Sequence, residues 1–288
     1  MAELFLGTAS WSAKSWVGHF YPAKARPGDF LTYYAQRFRT VEVDSTWYRL
    51  PRRRTVAGWR ERTPEGFLFA AKAPRIITHE KRLLDCDADL REFLDTMSLL
   101  GEKLGPLVFQ FPYFRKAEIA NAEAFLERLR PFLARLPAGF RYVVEVRNKS
   151  WLKPPLLDAL RQLGVALALI DHPWMPTARQ YAALPGLLTA DFAYVRWLGD
   201  RYKIEETTTE WNRLVVDRAA QTDAWAEMLS DLTSGIERVH AYYNNHYAGC
   251  APESAALFAR AWEARQPPEQ PGGGEDAGDV DAPSGGAL

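Results

Sequence analysis

Glu145 and Arg147 stand two residues apart at the end of an apolar, β-branched run, Tyr142-Val143-Val144. A strand sends alternate side chains to the same face, so both charges point one way at its C-terminal end. Lys72 and Arg196 close two more apolar runs, 67–71 and 192–195. Three cations at strand ends suit phosphate or carboxylate recognition, because a guanidinium binds either group in bidentate fashion. Acids accompany them. Glu42 and Asp44 share a face at the end of a run over 41–44, and Asp171 follows the fully apolar run 165–170. Two carboxylates in one mouth serve as general acid and base when their environments separate their pKa values. Flanking arginines keep a carboxylate ionised, which favours Glu145 as a base or an orienting group. The bland alternative is that Arg147 and Arg196 only neutralise Glu145 and Glu42, although buried ion pairs add little to stability.

Further candidates surround this core. His79 lies in the loop after Lys72, beside Arg75, Lys81 and Arg82. Those bases lower its pKa and keep it a neutral proton shuttle. His172 and His246 also follow strand ends, whereas His19 and His240 read as structural. Gln110, Asn244 and Asn245 can orient a polar ligand, and Trp11, Tyr48 and Trp151 can give it flat walls. The catalytic set is therefore Glu145, Asp171 and His79, and the remaining residues bind substrate. Amides and bases beside the acids make a poor di-metal cage, so no metal or cofactor is expected; one hard cation on carboxylates and water is the sole metal arrangement they suit. No Gly-x-Ser-x-Gly elbow or Cys/His pair supports a covalent nucleophile.

The elements that must position these groups follow from periodicity. Strands are predicted over 4–10, 41–44, 67–72, 107–111, 142–147, 165–170, 192–197 and 238–245, nearly all followed by helical patterns. The longest helix is predicted over 87–104, with Leu90, Phe93, Leu94, Met97, Leu100 and Leu104 as its buried stripe. Asp29 is placed to cap a helix carrying Phe30, Leu31, Tyr34, Ala35 and Phe38. Residues 198–216 read as a long loop, a reasonable lid by length and position. Eight strand–helix units over about 260 residues predict an α/β protein, a single-domain TIM (β/α)8 barrel. An open doubly wound sheet would bring a glycine-rich phosphate loop after the first strand, and none is present.

Composition sets the outer bounds. The 288 residues are 47% hydrophobic and 13% aromatic, with ten tryptophans, which excludes general disorder. The 36 basic residues balance 36 acidic ones, so no overall charge points to nucleic acid or a membrane. The average hides an asymmetry, because five acids and no base follow Arg265, leaving 36 bases against 31 acids in the body. The barrel domain is assigned to 1–264, and the acidic, Pro/Gly-rich stretch 265–288 is expected to be a disordered tail. Two cysteines without metal or disulfide spacing, no signal sequence and no membrane-spanning run predict a cytoplasmic protein.

Several short segments carry a resemblance. Phe20-Tyr21-Pro22, Thr46-Trp47-Tyr48, Ile77-Thr78-His79, Phe109-Gln110-Phe111-Pro112, Val144-Glu145-Val146-Arg147, Tyr194-Val195-Arg196 and Tyr243-Asn244-Asn245 occur in an order and spacing that resembles the YecE-like family, domain of unknown function 72 (DUF72). The resemblance spans about 4–262 and implies a TIM barrel. It departs at Asp44-Ser45, where the family usually has Asn, at Trp197-Leu198, where a histidine is usual, and at His246, where an acid is usual. From the residues themselves the expected partner is a small anionic, phosphate-bearing ligand bound at the barrel mouth, with acid–base chemistry. A nucleic-acid-binding or endonuclease-like barrel is the alternative, and a non-catalytic ligand-binding scaffold the third.

Overall fold

The computed structural model describes residues 2–266. Eight strands, β1 (Glu3–Thr8), β2 (Thr40–Val43), β3 (Leu68–Lys72), β4 (Leu104–Gln110), β5 (Tyr142–Glu145), β6 (Ala166–Asp171), β7 (Phe192–Trp197) and β8 (Arg238–Tyr243), form one parallel sheet in the order β1-β8-β7-β6-β5-β4-β3-β2. The helices between them are α1 (Phe30–Tyr34), α2 (Arg53–Glu61), α3 (Asp87–Met97), α4 (Ala122–Ala134), α5 (Pro154–Gln162), α6 (Ala178–Ala182), α7 (Arg201–Glu205), α8 (Ala219–Leu232) and α9 (Ala251–Glu263). This is the expected (β/α)8 barrel, and its strands are buried on both faces, which is why they read as continuous apolar runs rather than alternating ones.

The seam between β1 and β2 closes without a hydrogen-bond ladder. The backbone N–H of Thr8 donates to the Tyr34 hydroxyl (2.9 Å), which donates in turn to the Thr40 carbonyl (3.1 Å). Gly7 permits this approach, since a Cβ there would sit 2.2 Å from the Thr40 carbonyl oxygen.

Ladder registers fix the inward faces. Gln110 is level with Glu145, Ile170 with Arg196, Arg196 with Tyr242, and Tyr194 with His240. Phe5 stacks on His240 at 5.2 Å toward the N-terminal end of the barrel. Ladder-paired neighbours share a face, so Glu145 and Arg196 point inward, and Asp171, level with Trp197, points outward.

Three local expectations change. The pattern over 87–104 is not one helix: α3 ends at Met97, a 3-10 segment (Ser98–Lys103) follows, and β4 starts at Leu104. Gly101 takes φ +58°, and Lys103 Nζ donates to the carbonyls of Arg60 (2.7 Å) and Thr63 (2.6 Å), anchoring the turn. The longest helix among the described residues is instead α8. Asp29 precedes a helix of only five residues, and its carboxylate accepts from the Arg26 N–H rather than capping that helix. The 198–216 stretch contains α7, whose N-terminus is capped by Asp200 accepting from the Lys203 N–H (3.2 Å). Of the expected tail, Arg265 and Gln266 continue from α9, with Arg265 Nη2 donating to Asp223 at 2.5 Å, and 267–288 lie outside the described residues.

Candidate functional site

A closed ionic network fills the upper barrel. Arg196 Nη2 donates to Glu42 Oε1 (2.6 Å) and Nη1 to Glu145 Oε2 (2.5 Å), and the Tyr194 hydroxyl donates to Glu42 Oε2 (2.6 Å). Arg147 Nε donates to the remaining oxygen, Glu145 Oε1, at 2.6 Å. Glu42, Glu145 and Arg196 are buried, so the network is a low-dielectric unit in which every carboxylate oxygen is bonded. The two acids differ for a physical reason. Burial, reinforced by the neighbouring Asp44 charge, pushes the Glu42 carboxyl up, and Arg196, Tyr194 and Lys72 do not reverse it. Burial would raise Glu145 too, but Arg147, Arg196 and Lys72 outweigh it and hold that carboxyl at about 2. Such a carboxylate, with both oxygens occupied by guanidinium groups, is a poor proton acceptor. Through these bonds Glu145 fixes the Nε edge of Arg147. Arg196 is likewise covered on all sides and is not free to touch a ligand.

Lys72 and Asp44 flank this network. Lys72 Nζ donates to Asp44 Oδ1 (3.1 Å) and lies 4.8 Å from the centre of the Trp47 ring, with the Arg75 guanidinium 5.3 Å from the same ring. Asp44 opens the 3-10 turn (Asp44–Trp47) that follows β2, so the turn, not strand alternation, aims its side chain. His79 sits in a π-helical turn (Ile76–Glu80), edge-on to Trp47 at 5.0 Å, with Nδ1 2.8 Å from the Thr78 hydroxyl. Burial, then Lys72, Arg75 and Arg147, lower its pKa to about 4, so the imidazole is neutral at pH 7. Just beyond, Arg82, Leu83 and Asp85 adopt φ of 50°, 71° and 48°, a left-handed conformation that costs non-glycine residues energy.

Beside the network opens a cavity of about 710 Å³ lined by Gln110, Pro112, Tyr113, Arg147, Lys149, Ser150, His172, Trp174 and Met175. Arg147 is the one member of the expected cationic trio that reaches it. Its Nε is held by Glu145, and its two terminal nitrogens have no hydrogen-bond partner among the described residues. Gln110 lines the cavity while its side-chain amide donates to the Phe111 carbonyl (2.6 Å). His172 has its pKa lowered by burial and then by Arg147. Its Nδ1 faces the Trp174 N–H at 3.4 Å.

The other expected site residues are elsewhere. Asp171, expected at the mouth, points outward from β6, where its Oδ2 accepts from Trp225 Nε1 (2.6 Å) and burial raises its pKa; it lines a second cavity of about 600 Å³, walled also by α6 and α8, that adjoins the first through His172 and Met175. The reason is register, since its ladder partner Trp197 also faces outward. Trp151 is packed in the core against Phe125 (4.9 Å) and Phe114 (6.0 Å), and Trp11 lies edge-on to Trp59 and Phe69, so neither walls the cavity. Asn244 Oδ1 accepts from the His246 backbone, and Asn245 Oδ1 accepts from Trp16 Nε1 and the Ala251 N–H. Both amides thus fasten the turn into α9. Tyr48 is exposed against Trp47. Tyr113, Lys149, Ser150 and Trp174 escaped the sequence reading, although each lies within three residues of a strand-end residue it singled out. Trp47 ends the turn that Asp44 opens, and Tyr194 shares the parity of Arg196, which is the sequence signal that puts its hydroxyl beside Glu42.

No group of three or more His, Cys, Asp or Glu side chains is arranged to hold a metal ion among the described residues, and no helix there is long and apolar enough to cross a membrane. The chain is 34% identical over 185 residues to UPF0759 protein YecE of Escherichia coli K12, covering 62% of this chain and 63% of YecE. It is 24% identical over 271 residues to UPF0759 protein YunF of Bacillus subtilis 168, covering 87% and 92% of the two chains. The crystal structure of a DUF72 family protein from Thermotoga maritima superposes with a TM-score of 0.69 at 27% identity, over 90% of this chain and 99% of that one. The family described as "Protein of unknown function DUF72" matches residues 5–274, and the chain belongs to it.

Proposed function

We propose that the cavity beside β5 binds a small anionic, phosphate-bearing molecule, with Arg147 as its principal anchor. The observation that carries this reading is the state of the Arg147 guanidinium. Glu145 fixes Nε, Arg196 fixes Glu145, and the terminal nitrogens are left unpartnered at the cavity. A guanidinium held by one edge is already oriented, so little conformational entropy is lost when it grips an anion with the other. Lys149 and Ser150 on the adjoining turn add a charge and a hydroxyl, although Lys149 Nζ donates to Gln180 Oε1 (3.0 Å) and would have to exchange partners.

For a reaction, proton transfer falls to neutral imidazoles rather than to Glu145. His172 lines the cavity, and His79 lies outside its wall, against Trp47 and near Lys72. Titration calorimetry at low salt with inorganic phosphate and glycerol 3-phosphate tests the anchor. Wild type is expected to bind both, and Arg147→Met to lose roughly tenfold or more, the worth of a charge-assisted hydrogen bond or two. Equal binding by the two proteins would sink the reading.

A further inference from the structure

The cavity has a second chemical feature, distinct from its cation. Tyr113 and Trp174 line it while remaining 64% and 71% exposed, the largest exposures of any aromatic residues in it. They arrive from different loops. Tyr113 follows β4 and Trp174 follows β6, whereas Arg147, Lys149 and Ser150 follow β5. The sheet order places β5 between β4 and β6. The two rings therefore stand on either side of the segment that presents the anion anchor. Trp174 is steadied from below by His172, whose ring is 5.2 Å away and edge-on. Pro112 before Tyr113, and Pro173 before Trp174, restrict the backbone on both sides.

Large flat side chains left in water beside a cation are explained by neither packing nor charge pairing. Their faces offer dispersion and stacking to a planar partner, and every nucleobase has such a face. Resting on the anion site proposed above, we infer that the Tyr113–Trp174 pair is a ring subsite, and that the ligand class is a nucleoside monophosphate, with its phosphate on Arg147 and its base against these aromatics. The cavity volume of about 710 Å³ lies within the range of small-molecule sites. Gln110 and Ser150 line the same cavity and offer polar groups to the sugar.

The test compares three probes, adenosine 5′-monophosphate, ribose 5-phosphate and inorganic phosphate, by calorimetry on the full chain. Wild type is expected to bind the nucleotide roughly tenfold or more tightly than ribose 5-phosphate, the increment that stacking of one base supplies. Trp174→Ala and Tyr113→Ala, both at exposed positions and so expected to fold normally, should reduce nucleotide affinity to the ribose 5-phosphate level and leave inorganic phosphate unchanged. Arg147→Met should weaken all three; should it not fold, Arg147→Lys, which keeps a charge beside Glu145, takes its place. Equal affinity for nucleotide and ribose 5-phosphate, unmoved by Trp174→Ala, would overturn the ring subsite while leaving the anion anchor standing. Nucleotide binding lost in Trp174→Ala but intact in Arg147→Met would do the reverse. Binding of single-stranded oligonucleotides that rises with length, with none of the monophosphate, would overturn the small-molecule class in favour of a nucleic-acid strand.

Discussion

The Glu42–Arg196–Glu145 network and the cavity beside it each hold an arginine bonded to Glu145, yet their physics differs. In the network every carboxylate oxygen and both terminal nitrogens of Arg196 are bonded, and no water-accessible face remains. In the cavity Arg147 is bonded by one nitrogen only, and its neighbours Lys149, His172 and Trp174 are partly open. The closed region fixes geometry, and the open one leaves interaction capacity unspent. A charge cluster at strand ends is thus two objects, a scaffold and the group it positions, joined through the two oxygens of Glu145.

The sharpest way to break this division is to open the closed half. Arg196→Met removes the guanidinium bonded to buried Glu42 and one of the two bonded to buried Glu145, and should cost about 3–5 kcal/mol in urea unfolding. Glu145→Gln should lose roughly 3 kcal/mol for the same reason, and a variant as stable as wild type would show that the network is not structural. The sign with pH follows from the depressed Glu145 carboxyl. Its contribution is present above the usual carboxylate range and is lost as pH falls toward about 2.

His240 sharpens the contrast from the other end of the barrel. It is buried, neither ring nitrogen has a partner among the described residues, and burial lowers its pKa to about 3. The folded state keeps it neutral while the unfolded chain protonates near 6.5, so stability should fall as pH drops from about 6.5 toward 3. Its share between pH 7 and pH 4 is roughly 3 kcal/mol, which His240→Phe should abolish in acid unfolding curves.

Smaller effects belong to the open half. Arg147→Met should change stability by about 1 kcal/mol, less than Arg196→Met because Glu145 keeps its other guanidinium, while anion affinity falls roughly tenfold. Phosphate bound at Arg147 should raise the lowered pKa of His172, seen in its imidazole resonances; an unchanged titration would place the anion elsewhere. Least of all, Asp171→Asn should leave phosphate affinity unaltered, because its carboxylate faces Trp225 on the outer side of β6.

The barrel is legible in the order of its apolar runs. Eight apolar runs, each long enough for a strand and separated by helix-length patterns, admit few other arrangements, and the strand-end charges Glu42, Lys72, Glu145, Arg147 and Arg196 were legible because they interrupt those runs. Which of these charges are spent on one another was decided only by the tertiary structure. Glu42 and Arg196 are 154 residues apart, and no local spacing reports that their side chains meet. Asp171 looked equivalent to Glu145 in the sequence, but in a strand buried on both faces an apolar run carries no mark of which side is inward; the ladder register sets that, and one step of parity turned Asp171 away from the mouth. Trp151 and Trp174 show the same limit for aromatics. Composition makes them alike, and only the packing of α4 around one and the emptiness beside the other separates a core residue from the wall of a site.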